Sequence, residues 1–263
     1  MGDICLDHIV IFVPNLRDAI SNFSALGFNV VLGGEHEATE NALIVFDDQT
    51  YLELLALKRT RLRKYIRLAA LTGILKLIAR RKMDLQWRLL PWVTYKFGSI
   101  DWCIRVKDVE KTLKHWESNE LTNLGSQEFS RERPDGRTAK WILGSLKNVD
   151  LPFLLSDVSK IDVRIPVPTA PHPNGVTGIS KIWIATRNIT QATRRFDACF
   201  LKGKSNSNCS LSYLADGKRL ELVDASHHKG KIALQLKGSR EEETILDPRK
   251  TFGMRIMISS RDG

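Results

Sequence analysis

One pattern returns along the chain and limits what it can fold into. A short apolar strand is followed by an amphipathic helix and then by further strands. "LDHIVIFV" (6–13) is rich in β-branched residues and reads as a strand. "PNLRDAISNFSALGF" follows, with Leu16, Ile20, Phe23 and Leu26 at spacings of 4, 3 and 3, one helix face that Gly27 ends. "FNVVL" (28–32), "NALIVF" (41–46) and "YLELLAL" (51–57) read as three more strands, the last two joined by "DDQT". The order is βαβββ.

That order comes back. "SIDWCIRV" (99–106) is a strand, "KDVEKTLKHWESN" a helix with Val109, Leu113 and Trp116 on one face, and "WILGSL" (141–146) and "LPFLLSD" (151–157) are strands. A third round has strand "ISKIWIAT" (179–186), helix "NITQATRRFDACF", and strands "CSLSYLAD" (209–216) and "RLELVDA" (219–225). "KIALQLKG" (231–238) and "FGMRIMISS" (252–260) read as a shortened fourth unit without a helix. A unit that cannot bury its own sheet face must pair with a sibling. Residues 160–178, with four prolines and two glycines, read as a connector. The expected organisation is a first module at 1–57, an insertion at 58–97, a second module at 98–159, the connector at 160–178, and a third module with the short unit at 179–263.

Charge sets the insertion apart. Residues 1–57 carry one base against nine acids, whereas residues 58–97 carry twelve bases against Asp84 alone. The overall +10 is therefore no general nucleic-acid signature, and no stacking motif for RNA accompanies the tryptophans. A helix is expected over residues 62–85, apolar almost all round between Leu68 and Ala79 and basic at both ends. A stretch of twelve residues is too short for a bilayer, which needs about 20. Three roles stay open for it: a lid or brace across the modules, a homo-oligomer contact, or a peripheral contact with an anionic membrane surface. The four cysteines show no CxxC spacing and the start runs straight into a strand, so the expected compartment is the reducing cytoplasm.

The repeated module with "DHIV" (7–10), "GGEH" (33–36), "EN" (40–41), "YLELL" (51–55), "RPDG" (133–136), "PFLL" (152–155) and "HPNGV" (172–176) resembles the glyoxalase-like domain proteins of the vicinal-oxygen-chelate superfamily. The resemblance implies an α+β fold of paired βαβββ modules whose mostly antiparallel sheets curl into a cup holding a small-molecule ligand. It also implies that a His on the first strand and a Glu on the fourth point into the cup as metal ligands. His8 and Glu53 fall on those positions. Laying "IDWCI" on "LDHIV" puts Trp102 opposite His8, and laying "LPFLL" on "YLELL" puts Phe153 opposite Glu53; neither can hold a metal. The third module offers Lys181 and Glu221, which reads as an ion pair.

The residues themselves support two site chemistries. With His36 from the glycine-started loop, His8 and Glu53 make a two-His, one-carboxylate set for Zn, Fe, Mn, Co or Ni. Without a metal, His8 beside Glu53 is a general base, with Asn41 or His36 steadying an oxyanion. Alternation along the strand places Leu6, His8, Val10 and Phe12 on one face. Phe12, Trp102 and Phe153 are expected to line the cup. Arg131, Arg133 and Arg137 could meet an anionic ligand, Arg133 chief among them, although "RPDG" reads first as a hairpin tip with solvated arginines. His172 is expected to be a locally bonded connector residue. Two functions follow: a lyase or isomerase acting beside a carbonyl, or a non-catalytic protein that sequesters a small molecule.

Overall fold

The computed structural model describes residues 4–35, 39–58, 97–133, 136–205, 209–214, 216–226, 230–239 and 241–260, together with Tyr65, Leu68 and Arg88. The first module comprises β1 (Cys5–Phe12), α1 (Leu16–Ala25), β2 (Val31–Glu35), β3 (Thr39–Val45) and β4 (Tyr51–Leu57). The second comprises β5 (Gly98–Arg105), α2 (Val109–Glu117), β6 (Asn123–Glu132), β7 (Thr138–Leu146) and β8 (Phe153–Asp157). The connector contains a single helical turn, α3 (Ile161–Arg164). Then come β9 (Gly178–Thr186), α4 (Ile189–Cys199), β10 (Leu201–Ser205), β11 (Cys209–Tyr213) and β12 (Arg219–Asp224), followed by β13 (Ile232–Lys237), β14 (Thr244–Ile245) and β15 (Ile256–Ile258). All three module helices start on the same device. Asn15, Asp108 and Asn188 each accept the backbone N–H three residues on, a cap worth about 1 kcal/mol.

Strands of the first two modules join in one eight-stranded sheet, ordered β2-β3-β4-β1-β5-β8-β7-β6. The remaining strands form a seven-stranded sheet, β10-β11-β12-β9-β13-β15-β14. Both are built alike. The fourth strand of a module runs parallel to its first, and two first strands meet antiparallel at the centre. One face of each sheet joins the helices in a common core that includes Leu6, Ile9, Ile11, Trp102, Ile184, Leu234, Phe23 and Phe196. Burying each large side chain there stabilises by about 1.5–3 kcal/mol. The opposite, concave face of the eight-stranded sheet carries three smaller apolar clusters and the polar residues of interest. The strands β6 and β10, unforeseen from the sequence, are sheet edges whose side chains are half in water, so they lack a long apolar period.

A bulge sets which residues reach the concave face. Leu6 pairs with Ile104 but His8 pairs with Cys103, so Asp7 is an extra residue in β1. Alternation is broken there. Leu6 turns to the core with Ile9 and Ile11, not to the face of His8, Val10 and Phe12 as strict alternation predicts. The same irregularity stands at Ile100 in β5 and at Ser180 in β9. Matching bulge to bulge makes Asp101 and Lys181 the counterparts of His8. The parallel pairs Val10–Glu53, Cys103–Phe153 and Trp183–Glu221 make Phe153 and Glu221 the counterparts of Glu53. Trp102 is thus a correction to the sequence reading. It lies one residue out of register with His8 and faces the core, its ring 6.3 Å from Phe196 and 6.0 Å from Phe200. Its Nε1 donates to the Asp150 carbonyl, so it does not line the cup.

The helix expected over 62–85, and with it the lid, oligomer and membrane roles, falls outside the described residues except for Tyr65 and Leu68, both exposed. No helix among the described residues is long and apolar enough to cross a membrane. What covers part of the cup is the connector: Ile161 and Ile165 pack on Leu43, Val45 and Tyr51, while Val163 packs on the second-module cluster. His172 is no local bond-maker. Asn29 N–H donates to its Nδ1 at 2.9 Å, so Nε2 carries the proton and donates to Val45 O at 3.0 Å, which pins the connector to the first module.

Candidate functional site

His8 is held from behind. The bulge puts Asp7, fully buried, beside it, and Asp7 Oδ1 lies 2.8 Å from His8 Nδ1. Arg164 of α3 grips the same carboxylate with both Nη atoms, at 3.0 and 2.7 Å. It also donates to Asp157 at the end of β8 and to the Tyr51 hydroxyl. Burial pushes the Asp7 carboxyl up, but the Arg164 charge and the bonds from His8 and Arg164 outweigh this and hold it far below the usual carboxylate range. An ionised carboxylate only accepts, so His8 Nδ1 must carry hydrogen. In the neutral ring Nε2 then presents its lone pair. The ring orientation is fixed further by stacking on Tyr51, with centroids 4.6 Å apart at 20°.

Nε2 faces Glu53. The two are 3.5 Å apart, too far for a good hydrogen bond, and both side chains are partly reachable from solvent. Asn41 of β3 orients Glu53 by donating from Nδ2 to its Oε1 at 2.5 Å. The expected trio of His8, Glu53 and Asn41 is therefore brought together. Asn41 gives one of its two Nδ2 hydrogens to Glu53, and its Oδ1 is buried with no partner among the described residues. Gly33 makes room for it: a Cβ there would stand 2.3 Å from Asn41 Oδ1. A Cβ on Gly34 would stand 2.6 Å from Arg131 Cδ. Arg131 thus reaches from one edge strand of the eight-stranded sheet, β6, to the other, β2. Its Nη2 donates to Arg164 O at 3.0 Å, while its Nε is buried without a partner. Burial pushes the Arg131 guanidinium pKa down.

The hairpin around "RPDG" forms as expected, with Arg133 N–H bonded to Arg137 O and Gly136 N–H to Arg133 O. Its arginines are not all solvated. Arg133 Nη1 donates to the carbonyls of Asp162 and Val163, so α3 ends on two arginines, favourable for a helix C-terminus. Arg133 thereby holds the connector rather than pointing a free fork at a ligand. Phe153 does face the concave side, in a cluster with Cys103, Trp141 and Leu155. Phe12 does so too, packed with Val10, Leu55, Leu57 and Ile100.

The counterpart half-site is occupied by the protein's own cation. Arg88, only 2% exposed, donates Nε and Nη2 to Asp101 at 3.1 and 2.7 Å, and further donates to Ser145 and to the carbonyls of Leu146, Leu151 and Pro152. Its guanidinium sits 4.3 Å from the Phe153 ring centroid. This bears on the metal that the fold implies. At the four positions, His8, with Nδ1 bonded to Asp7, offers Nε2 and Glu53 offers its carboxylate, whereas Asp101 is paired with Arg88 and Phe153 has no donor. Among the described residues no three His, Cys, Asp or Glu side chains converge on one point. His36, which would complete the two-His set, lies outside the described residues. The described residues thus supply two donors at the cup, His8 Nε2 and Glu53, fewer than the three protein ligands of a catalytic metal site.

The sequence reading missed Asp7 and Arg164. Asp7 carries a signal, a second polar residue next to His8 in an apolar strand, which a bulge explains. Arg164 sits between Val163 and Ile165 in a stretch read as a linker, and nothing local points it at Asp7. A separate cleft of about 590 Å³ runs between the first and third modules, lined by Asp48, Thr177, Asp216 and Lys218. Within it Lys218 lies 3.1 Å from Asp48 and 3.0 Å from Asp216.

Comparisons with known proteins place this geometry. Among solved structures, a hypothetical protein from Staphylococcus aureus superposes with a TM-score of 0.73 at 15% identity, covering 97% of this chain and 99% of that one. A Mn(II)-bound glyoxalase from Novosphingobium aromaticivorans gives 0.55 at 9% identity, covering 97% and 81%. A 2,3-dioxygenase from Pseudomonas sp. KL28 gives 0.54 at 12%, covering 97% and 91%. These identities show likeness of fold alone. No curated protein matches. The model of the glyoxalase-like domain matches residues 6–200, which takes in both modules of the eight-stranded sheet and the connector that closes on it. On that match the chain belongs to the glyoxalase-like domain family, within the vicinal-oxygen-chelate superfamily.

Proposed function

We propose that the protein transfers protons beside the carbonyl of a small molecule without a metal, in the manner of a lyase or isomerase. The observation that carries this is the Asp7-backed His8, whose Nε2 faces Glu53 Oε2 across 3.5 Å. His8 Nε2 takes the proton from carbon, and the electron pair moves to the carbonyl oxygen. Glu53, positioned by Asn41, carries a proton to or from the neighbouring atom, and Arg131 offers the positive charge for the developing oxyanion. Asp7 and Arg164 position His8 and touch no substrate. The test is incorporation of solvent deuterium into a panel of small carbonyl compounds, followed by NMR. His8→Asn and Glu53→Gln should each slow exchange by about 100-fold or more. Exchange no faster than without protein, or unchanged in His8→Asn, sinks the proposal.

A second reading, sequestration of an apolar compound, draws support from the second-module half of the cup. There Phe129 and Trp141 stack at 6.3 Å beside Phe153 and Leu155. Tight binding of apolar compounds with no exchange favours it. The buried thiols of Cys103 and Cys199, which form no disulfide, support a cytosolic setting for either reading.

A further inference from the structure

Arg131 is the odd cation of the site. Arg164 has Asp7 and Asp157, and Arg88 has Asp101. Among the described residues Arg131 makes no ion pair, although it is half-buried and its Nε has no hydrogen-bond partner at all. The charge of Glu53 supports the guanidinium from beyond ion-pair distance while burial opposes it, so an anion from outside the chain is the natural complement of its unfilled fork. Asn41 Oδ1 is a second orphan, an acceptor awaiting a donor. The two orphans flank the same bare backbone, Gly33 and Gly34, where side chains would collide with them. A ligand that satisfies both must bring an oxyanion and a protic group a few atoms apart.

We infer that the cup binds a small carboxylate that also carries a hydroxyl: the carboxylate bonds Arg131, and the hydroxyl donates to Asn41 Oδ1. This rests on the same site as the proposed proton transfer and names its substrate class. The hydroxyl-bearing carbon then lies next to Glu53, which Asn41 itself holds. A neutral carbonyl compound leaves Arg131 unpaired, and a simple carboxylate leaves Asn41 unpaired.

The experiment uses the full chain and isothermal titration with lactate, glycerate, propionate and methyl lactate. Lactate or glycerate should bind, propionate about tenfold more weakly, and methyl lactate roughly 10- to 100-fold more weakly, the range for losing a charged hydrogen bond. Arg131→Gln should abolish lactate binding. Because that variant can fail to fold, Arg131→Lys, which keeps the charge but not the fork, is measured beside it and should lose about tenfold. Asn41→Leu should bring lactate down to the affinity of propionate. No binding of either hydroxy acid at 50 mM, or lactate affinity unchanged in Arg131→Lys, overturns the inference. His8→Asn separates the two claims, since it should bind lactate normally while losing deuterium exchange. Binding with no exchange in the unsubstituted protein removes proton transfer and leaves the hydroxy acid site. Exchange of a neutral ketone without carboxylate binding does the reverse.

Discussion

The first and third modules have the same frame and put different chemistry on it. In both, a bulge precedes the key residue of the first strand, and a glutamate stands at the same register on the fourth. His8 faces Glu53 in one, and Lys181 pairs directly with Glu221 in the other, its ammonium also 4.4 Å from the Trp183 ring. The bulge residue decides the outcome. Asp7 turns a buried carboxylate onto His8, and Arg164 holds it there. Ser180, in the same place, bonds to the carbonyl of Gln235 and leaves Lys181 to Glu221 alone. A Lys–Glu pair neutralises itself. An Asp-backed His beside Glu leaves an acceptor open to a ligand.

The largest effect expected separates the two sites by stability. Arg164→Ala leaves the buried Asp7 with only the distant Arg105, 4.0 Å away, and should cost about 3–5 kcal/mol in denaturant unfolding. Lys181→Ala breaks a more accessible pair and should cost less than about 1 kcal/mol. Equal costs would break the comparison. Next, Asp7→Asn should slow deuterium exchange by about 100-fold or more, since the amide no longer enforces hydrogen on Nδ1. Acid should tell the same story. The folded-state pKa of Asp7 lies below its unfolded value, so its contribution to stability is complete above about pH 4 and is lost as pH falls below that. Asp7→Asn should flatten that acid limb. Smaller still, a chelator should leave the melting temperature within about 1 °C, because a structural or catalytic metal would stabilise by more. A chelator shift of several degrees would restore a metal to the site. Last, Lys181→His recreates a His–Glu pair in register but without an aspartate behind it. It should gain no exchange activity, and a gain would show that the frame suffices.

Much of the fold was legible because apolar periodicity survives in the buried elements. The three helices, β4 and the first strands stand close to where their patterns put them. The edge strands β6 and β10 did not show, since one wet side and a partner on only one flank leave a mixed sequence. The site was legible where a residue and its neighbour share a module, as His8, Asn41 and Glu53 do. It failed by one position at Trp102, because a bulge adds a residue that no period-two reading can count. It failed outright at Arg164 and left Arg131 between a solvated hairpin residue and an anion binder, because what directs each is a partner in another part of the chain.

That distance has a consequence for how the molecule is assembled. Arg88 lies 13 residues from Asp101, whereas Arg164 lies 157 residues from Asp7. Loop closure of the longer span costs about 2 kcal/mol more in chain entropy, so the second-module half-site should close early and the His8 half-site late. During synthesis the first module emerges with Asp7 facing an apolar interior and no counter-ion. The His8 half-site is therefore completed only after the second module, when a single turn of the connector arrives to lock the imidazole.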